Sequence, residues 1–291
     1  MAVANTITYE TVYEDALQER LNHPTTWKEI VKVTVSNTRV ISSSYMSSTP
    51  SVQTVTRGTG VALQTFAETA ETLTISTGRD LGVLVDWGDY YQSPWTSKAE
   101  LFDRIGSLLN EYIESAVLGQ HASWTNFGDT GGGVLGLAST AITVSASNID
   151  NIILGVKREV RTANGQSLAS RNGLFFVWRP ADFELLETFA SANGFATADK
   201  FLINGAVEGF RYLGVDHYWS NDLTAGHVFA GVKKIQRLGI LKGTYGRAST
   251  IEFPAADSNT FFSGVAFYLR VDIGHLVPTG HASILFDVNV A

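Results

Sequence analysis

Asp129-Thr130-Gly131 spells the triplet of an aspartic protease. That chemistry needs two such carboxylates sharing one proton. The chain carries the triplet once, in a glycine-rich stretch without an apolar strand before it, so it reads as part of a glycine loop. The run Gly131 to Gly136 is no phosphate cradle: Leu137 follows where a P-loop needs Lys and Ser/Thr. No Gly-x-Ser-x-Gly elbow offers a serine nucleophile. The chain has no cysteine, which removes thiolate catalysis, disulfides and cysteine-based metal sites.

The six histidines are His23, His121, His217, His227, His275 and His281. None falls into His-x-His or His-Glu-x-x-His spacing, the signatures of a metal site on one element. Asp216, His217, Asp222 and His227 come nearest to a cluster and read as ordinary loop residues. Glu184 and Glu187 stand three apart on the outer face of an expected helix, where carboxylates are solvated. Basic residues gather once, at Lys233, Lys234 and Arg237. These three are the candidates for facing nucleic acid, against an exposed strand or a subunit salt-bridge site. The residues supply no catalytic set and call for no metal or cofactor.

Composition narrows the classes further. Among 291 residues, 28 acidic side chains outnumber 21 basic ones, a net charge of −7 that argues against a general nucleic-acid binder. Charged residues make up 17%, below the roughly 25% of an average soluble domain. Either extensive subunit contact or a neutral Ser/Thr-rich surface accounts for that, since interface cores are depleted of charge. No stretch approaches the ~18 apolar residues of a membrane-spanning helix. The N-terminus lacks the order of a secretory signal.

The elements that would position these residues follow from periodicity. Thr11 to Asn22 has the spacing of a short helix within an arm. Ile30 to Tyr45 reads as one strand, with Val31, Val33 and Val35 alternating against Lys32, Thr34 and Ser36. From Ser51 to Asp86 the chain is β-like and poor in large apolar residues, with turns at Arg57-Gly58-Thr59-Gly60 and at Gly78. A strand pair with neither face apolar is marginal in water, so this stretch predicts a long two-stranded projection that needs a neighbour. The aromatic segment holding Tyr90, Tyr91 and Trp95 follows. Ser97 and Glu100 then form a capping box. They open a helix from Lys98 to Gln120, about 35 Å at 1.5 Å per residue. Leu101, Ile105, Leu108, Tyr112 and Ala116 are its expected buried stripe, with Leu109, Ile113 and Val117 broadening it, and Glu111 and Glu114 are placed on the other faces.

Gly128 to Gly136 reads as a flexible connection. Ser147 with Asp150 predicts the cap of a second helix whose stripe is Ile149, Ile152, Ile153, Val156 and Val160. Leu174 to Trp178 is a continuous apolar run expected at a sheet centre. Pro180 opens a third helix. Phe210 to Trp219 and Val228 to Ala230 are short strands, and Phe261 to Ile273 and Ser283 to Val290 close the chain as long ones. Helix and strand alternate between about 145 and 222, which suggests an α/β subdomain.

This order of elements, with Gln92-Ser93-Pro94-Trp95-Thr96 leading into one very long helix, resembles the major capsid proteins of tailed bacteriophages, the HK-ninety-seven-type fold. The similarity also touches Trp95 to Trp124, the β-rich tail, and Gly209-Phe210 followed by Gly214-Val215-Asp216, Tyr218 and Ser220-Asn221. It implies an α+β fold with residues 1–28 as N-terminal arm, 29–46 as a peripheral-domain strand and 47–91 as an extended β loop. Residues 92–144 would be the peripheral domain with the spine helix, 145–222 an axial domain, and 223–291 the β-rich peripheral tail. Arg57, Gly58, Gly60, Tyr90, Tyr91 and Trp95 would then lie at subunit interfaces.

The function implied is mechanical and not enzymatic. Copies of the chain would assemble as hexamers and pentamers into an icosahedral virion shell, formed in the host cytoplasm around double-stranded DNA that it does not bind tightly. The family's type member carries a cleaved N-terminal scaffolding segment. Here strand-like sequence begins by Ile30, which implies a separate scaffolding protein or an engineered start. A portal and a decoration protein are further expected partners, and no membrane is. The competing readings are a virion tail or decoration protein, and a soluble α+β enzyme with an unrecognised site.

Overall fold

The computed structural model of the chain describes residues 26–46, 51–54, 64–65, 67–86, 98–192, 210–242, 247–253 and 264–291. The described chain starts with a one-turn helix, α1 (Trp27–Ile30), then β1 (Lys32–Ser36), β2 (Val40–Met46), β3 (Glu68–Thr74) and β4 (Thr77–Asp86). The long helix α2 (Lys98–Leu118) ends in a 3-10 turn (Gly119–Ser123) that leads to β5 (Thr125–Asp129) and β6 (Leu135–Gly136). Next come α3 (Ile149–Thr162), α4 (Gln166–Asn172), β7 (Leu174–Trp178) and α5 (Pro180–Ala192). The last part is β8 (Phe210–Tyr212), β9 (Val215–Trp219), β10 (His227–Val232), β11 (Arg237–Leu241), β12 (Arg247–Phe253) and β13 (Gly264–Leu276). A second 3-10 turn (Thr279–Ile284) and β14 (Leu285–Asn289) close it.

The apolar run of β7 demands cover on every side, and receives it. Phe175, Phe176, Val177 and Trp178 are buried in the middle of a seven-stranded sheet ordered β6-β5-β14-β10-β7-β9-β8. Residues 145–222 supply only β7, β8 and β9; the other four strands come from chain on either side. Helix α3 presents the stripe read from sequence, since Ile149, Ile152, Ile153, Val156 and Val160 are all buried. Its N-terminus differs from the expected capping box. Asn148 precedes the helix, and its Oδ1 accepts from Ser145 N–H at 2.9 Å, while Ser147 Oγ bonds Ser145 Oγ.

A second sheet runs β1-β11-β13-β12, with β4 also on β13. One edge of β13 is lined by β4 and the other is shared by β12 and then β11. The β4 segment, grouped by sequence with the projection, therefore belongs to this sheet. The projection is instead a ribbon of β2 and β3, paired from Val40↔Thr74 to Met46↔Glu68. Beyond it, Ser51 N–H donates to Gln64 Oε1 at 2.8 Å and Gln64 Nε2 donates back to Ser51 O at 2.7 Å, so the two limbs stay together.

Three expectations are corrected here. Ile30 to Tyr45 is not one strand. Thr38 N–H bonds Ser36 Oγ and Thr38 Oγ1 donates to Val40 O, a turn that sends β1 and β2 to different sheets. Burial does alternate along β1, but with the opposite face covered: Val33 and Val35 are 38% and 60% exposed while Thr34 and Ser36 are half-buried, and only Val31, just before the strand, is buried. In α2 the buried stripe is Ile105, Leu109, Ile113 and Val117, whereas Leu108 is 38% exposed and Glu114 is wholly buried. The helix presents one face to the core, with Tyr112 and Ala116 half-buried at its margin and Leu108 beyond it. The glycine-rich stretch is an ordered hairpin between β5 and β6, not a slack connection. Asp129 Oδ1 accepts from the N–H groups of Gly131 and Gly133, and Gly131, Gly132 and Gly133 all take positive φ, which costs glycine nothing.

Candidate functional site

The ribbon has almost nothing of its own to stand on. Along β3 only Leu73 is buried, and β2 alternates between exposed and half-buried residues. What holds it is a seat on the five-stranded sheet. Gly239 of β11 and Gly274 of β13 are directly paired across the ladder. A Cβ on Gly239 would stand 2.3 Å from Leu73 Cδ2, and one on Gly274 would stand 2.2 Å from the Thr74 carbonyl oxygen. Two glycines side by side thus open a floor into which Leu73, Thr74 and Ile75 settle. Polar ties flank the seat. Arg237 Nη1 donates to Ser43 Oγ at 2.6 Å, and Thr279 N–H donates to Glu71 Oε1 at 2.7 Å.

A second junction fastens the chain that enters the fold. The buried Glu114 carboxylate of α2 accepts from Thr26 N–H at 2.9 Å, Trp27 N–H at 2.7 Å and Thr26 Oγ1 at 2.6 Å. It therefore satisfies free N–H groups at the start of α1, a role usually taken by a local capping residue. Burial pushes its pKa up, and these hydrogen bonds oppose the shift. Sequence placed Glu114 on a solvated face; its partner lies 88 residues away and leaves no local signal.

The basic cluster sits where β10 passes to β11, between the two large sheets. Lys233 is buried, its Nζ 2.8 Å from Asp216 Oδ2 and 2.6 Å from Tyr218 Oη. Burial lowers its pKa, but Asp216 and Tyr218 outweigh that and leave it raised. Its charge is spent inside the fold. Arg237 is turned to the ribbon. Lys234 alone of the three is exposed, at a positive φ of 62°. Arg57, Gly58, Gly60, Tyr90, Tyr91 and Trp95 lie outside the described residues, as do the expected arm helix at 11–22 and the Ser97 end of the capping box.

The histidines part company. His217 is on strand β9, not in a loop, and is fully buried. Trp178 Nε1–H donates to its Nδ1 at 3.0 Å, which puts the ring proton on Nε2, facing Tyr212 O at 3.4 Å. Burial pushes its pKa down to about 3. Asp216 answers Lys233. His227 leaves this group altogether and joins His121 and Asp287. His121 Nδ1 and His227 Nδ1 stand 3.1 and 2.8 Å from the two oxygens of the Asp287 carboxylate. No periodicity connects residues at these three positions, so sequence could not assemble them.

No protein-family model matches the chain, and no curated protein matches it. Solved structures do. A chain from Mycobacterium phage Che8 superposes with a TM-score of 0.67 at 16% identity, covering 99% of this chain and 98% of that one. The mature capsid of bacteriophage PhiM1 gives 0.62 at 17% identity over 96% and 91%. The capsid of the native GTA particle gives 0.62 at 13% identity over 100% and 99%. The chain has the HK-ninety-seven-type phage capsid fold.

Among the described residues, exposed large apolar side chains include Val52 and Leu108 and two further groups. Val33, Val35 and Val40 form one, where β1 turns into the ribbon. Val134, Leu137 and Leu154 form the other, on the β5–β6 hairpin, the loop after it and α3. A cleft of about 640 Å³ lies beside the second, lined by Asp129, Leu135, Asn151, Leu154 and Arg158 among others.

Proposed function

We propose that the chain is a structural capsid subunit that assembles as hexamers and pentamers into an icosahedral shell around double-stranded DNA. The observation that carries this reading is the β2–β3 ribbon. It is a two-stranded element with one buried side chain in β3, and while one face rests on the subunit through Leu73, Ser43 and Glu71, the other face, with Val40, Ser42, Ser44, Ala70 and Thr72, is exposed. Isolated two-stranded elements are marginal in water, so its outer faces ask for a second subunit. The likeness of the whole chain to phage capsid structures supports the same reading. So do the exposed valines of β1 and the low share of charged residues.

On this reading the ribbon and the loop beyond it, with Arg57, Gly58 and Gly60 toward the tip, lie over a neighbouring subunit. Tyr90, Tyr91 and Trp95 contribute to the same contacts. Helix α2 is the spine of the peripheral domain, which the five-stranded sheet completes. The seven-stranded sheet with α3 and α5 forms the axial domain, drawn more broadly than 145–222. Residues 1–28 act as the arm, anchored where Glu114 grips Thr26 and Trp27. The subunit works in the virion after assembly in the host cytoplasm, with scaffolding, portal and decoration proteins as partners. Lys234 is the member of the basic cluster free to meet DNA, and a net charge of −7 suits a wall that lets the genome pass.

Expression of the full chain followed by rate-zonal sedimentation and negative-stain imaging tests this. Fast-sedimenting closed particles or hexamer-sized rings are expected. Material that stays monomeric or dimeric, with and without its scaffolding partner, overturns the proposal.

A further inference from the structure

The geometry points to a binding site for a first-row divalent cation of the zinc type, built from His121, His227 and Asp287. The three residues come from separate elements. His121 sits in the 3-10 turn that ends the long helix α2. His227 opens β10, and Asp287 lies on β14. In the β10–β14 ladder Phe229 faces Asp287 and His227 faces Asn289. Residues two apart on a strand share a face, so His227 and Asp287 are diagonal neighbours on one face of the sheet. The turn after α2 lays His121 over that face, and the two imidazoles stand with centroids 4.4 Å apart.

The donor set and its convergence carry the argument. Two ring nitrogens and a carboxylate are the borderline donors that zinc-type cations prefer. The donor atoms of all three residues lie within 4.8 Å of one another. The two Nδ1–carboxylate separations, 3.1 Å to Oδ2 and 2.8 Å to Oδ1, are hydrogen-bond lengths a few tenths of an ångström short of the ~3.3 Å between donors around a tetrahedral ion with bonds of about 2.0–2.1 Å, so a small turn of the rings admits an ion. Asp287 is 4% exposed at its side chain, and among the described residues these two histidines are its side-chain partners. The histidines are 24% and 23% exposed, so an ion in solution can reach the site.

On one flank Phe229 packs 5.9 Å from the His121 ring and Trp124 packs on Phe229, which keeps that side apolar. With the ring protons on Nε2, both Nδ1 lone pairs and the carboxylate are available to one ion held between them, with water completing the shell, as in three-ligand zinc sites. The ion would clip the end of the long helix to two central strands of the seven-stranded sheet. Its binding to the folded chain alone would raise thermal stability by mass action.

The competing occupant is a pair of protons, with each Nδ1–H donating to Asp287 and no affinity for metal. Titration of the chelator-treated full chain with CoCl₂ and ZnCl₂ separates the two. One equivalent of Co²⁺ should bind with the intense visible absorption of a four-coordinate ion, be displaced by Zn²⁺, and raise the melting temperature. His121→Gln and His227→Gln should each weaken Zn²⁺ binding by more than about 100-fold, the upper range for losing even an outer-shell partner. His281→Gln should leave it unchanged. Absence of saturable binding by the wild-type chain overturns the site, as does binding that survives both ligand substitutions. If His227→Gln does not fold, the wild-type titration and His121→Gln decide alone. The readout does not depend on assembly, so a chain that binds zinc but forms no shell would sink the capsid proposal and leave this one standing.

Discussion

Gly239 and Gly274 face each other across the β11–β13 ladder, and the missing side chains of this pair make the seat for the base of the ribbon. The two positions are not equivalent. At Gly274 a methyl group meets the backbone oxygen of Thr74, which cannot rotate away; at Gly239 it meets the end of the Leu73 side chain, which can repack. Gly274→Ala should destabilise the subunit by about 1–3 kcal/mol, the usual scale of overpacking, and shift the ribbon. Gly239→Ala should cost less. Thermal melts give the ranking, and equal costs would show that the seat is not set by backbone contact.

Glu114 makes a second prediction. Glu114→Ala strips the acceptors from two buried N–H groups, at about 1–3 kcal/mol each. The acid limb tests its environment. Because burial raises the folded pKa above the ordinary 4.5, the folded chain holds this proton more tightly than the unfolded one. Stability from this group is then greatest below pH 4.5 and declines as pH rises through the folded value. Wild type should lose ground relative to Glu114→Gln over that interval. A wild type that instead gains on the variant as pH rises contradicts the burial assigned here.

His217 works in the opposite direction. The unfolded chain takes up this proton near pH 6.5 and the folded chain only near 3. Stability held above pH 6.5 is therefore lost as pH falls toward 3. His275 adds to the same loss: burial pushes its pKa down to about 4, and neither ring nitrogen has a hydrogen-bond partner among the described residues. Denaturant melts between pH 7 and 4 should show a slope that flattens in His217→Gln. An unchanged slope would place the acid sensitivity elsewhere.

The long helix separates fold from assembly. Ile105 is 1% exposed, so Ile105→Asp buries an unpaired carboxylate and should unfold the subunit. Leu108, one turn of the stripe away and 38% exposed, should tolerate Asp with a melting temperature near wild type. Circular dichroism of the two variants checks this. An unfolded Leu108→Asp would mean that the stripe is as wide as periodicity alone suggests.

What could be read in the sequence was what periodicity encodes. The long helix from Lys98, the stripe of α3 and the buried run at Leu174 to Trp178 were legible because their own spacing defines a face. Which face is covered was less so. Val31, Val33 and Val35 alternate as a half-buried strand should, yet two of the three look outward, because a period-two pattern says which residues share a side and not what lies against it. The glycine hairpin is not legible, because flexible and tightly turned segments share a composition. Glu114 with Thr26, and His121 with Asp287, are 88 and 166 residues apart, distances at which only the folded chain brings side chains together.

Electron cryomicroscopy of the purified full-length chain, with its scaffolding partner where needed, tests the central claim most directly. The account predicts closed shells of five- and six-membered capsomers in which the β2–β3 ribbon lies across an adjacent subunit. Small discrete oligomers, or a shell in which the exposed face of the ribbon meets no adjacent subunit, would contradict it.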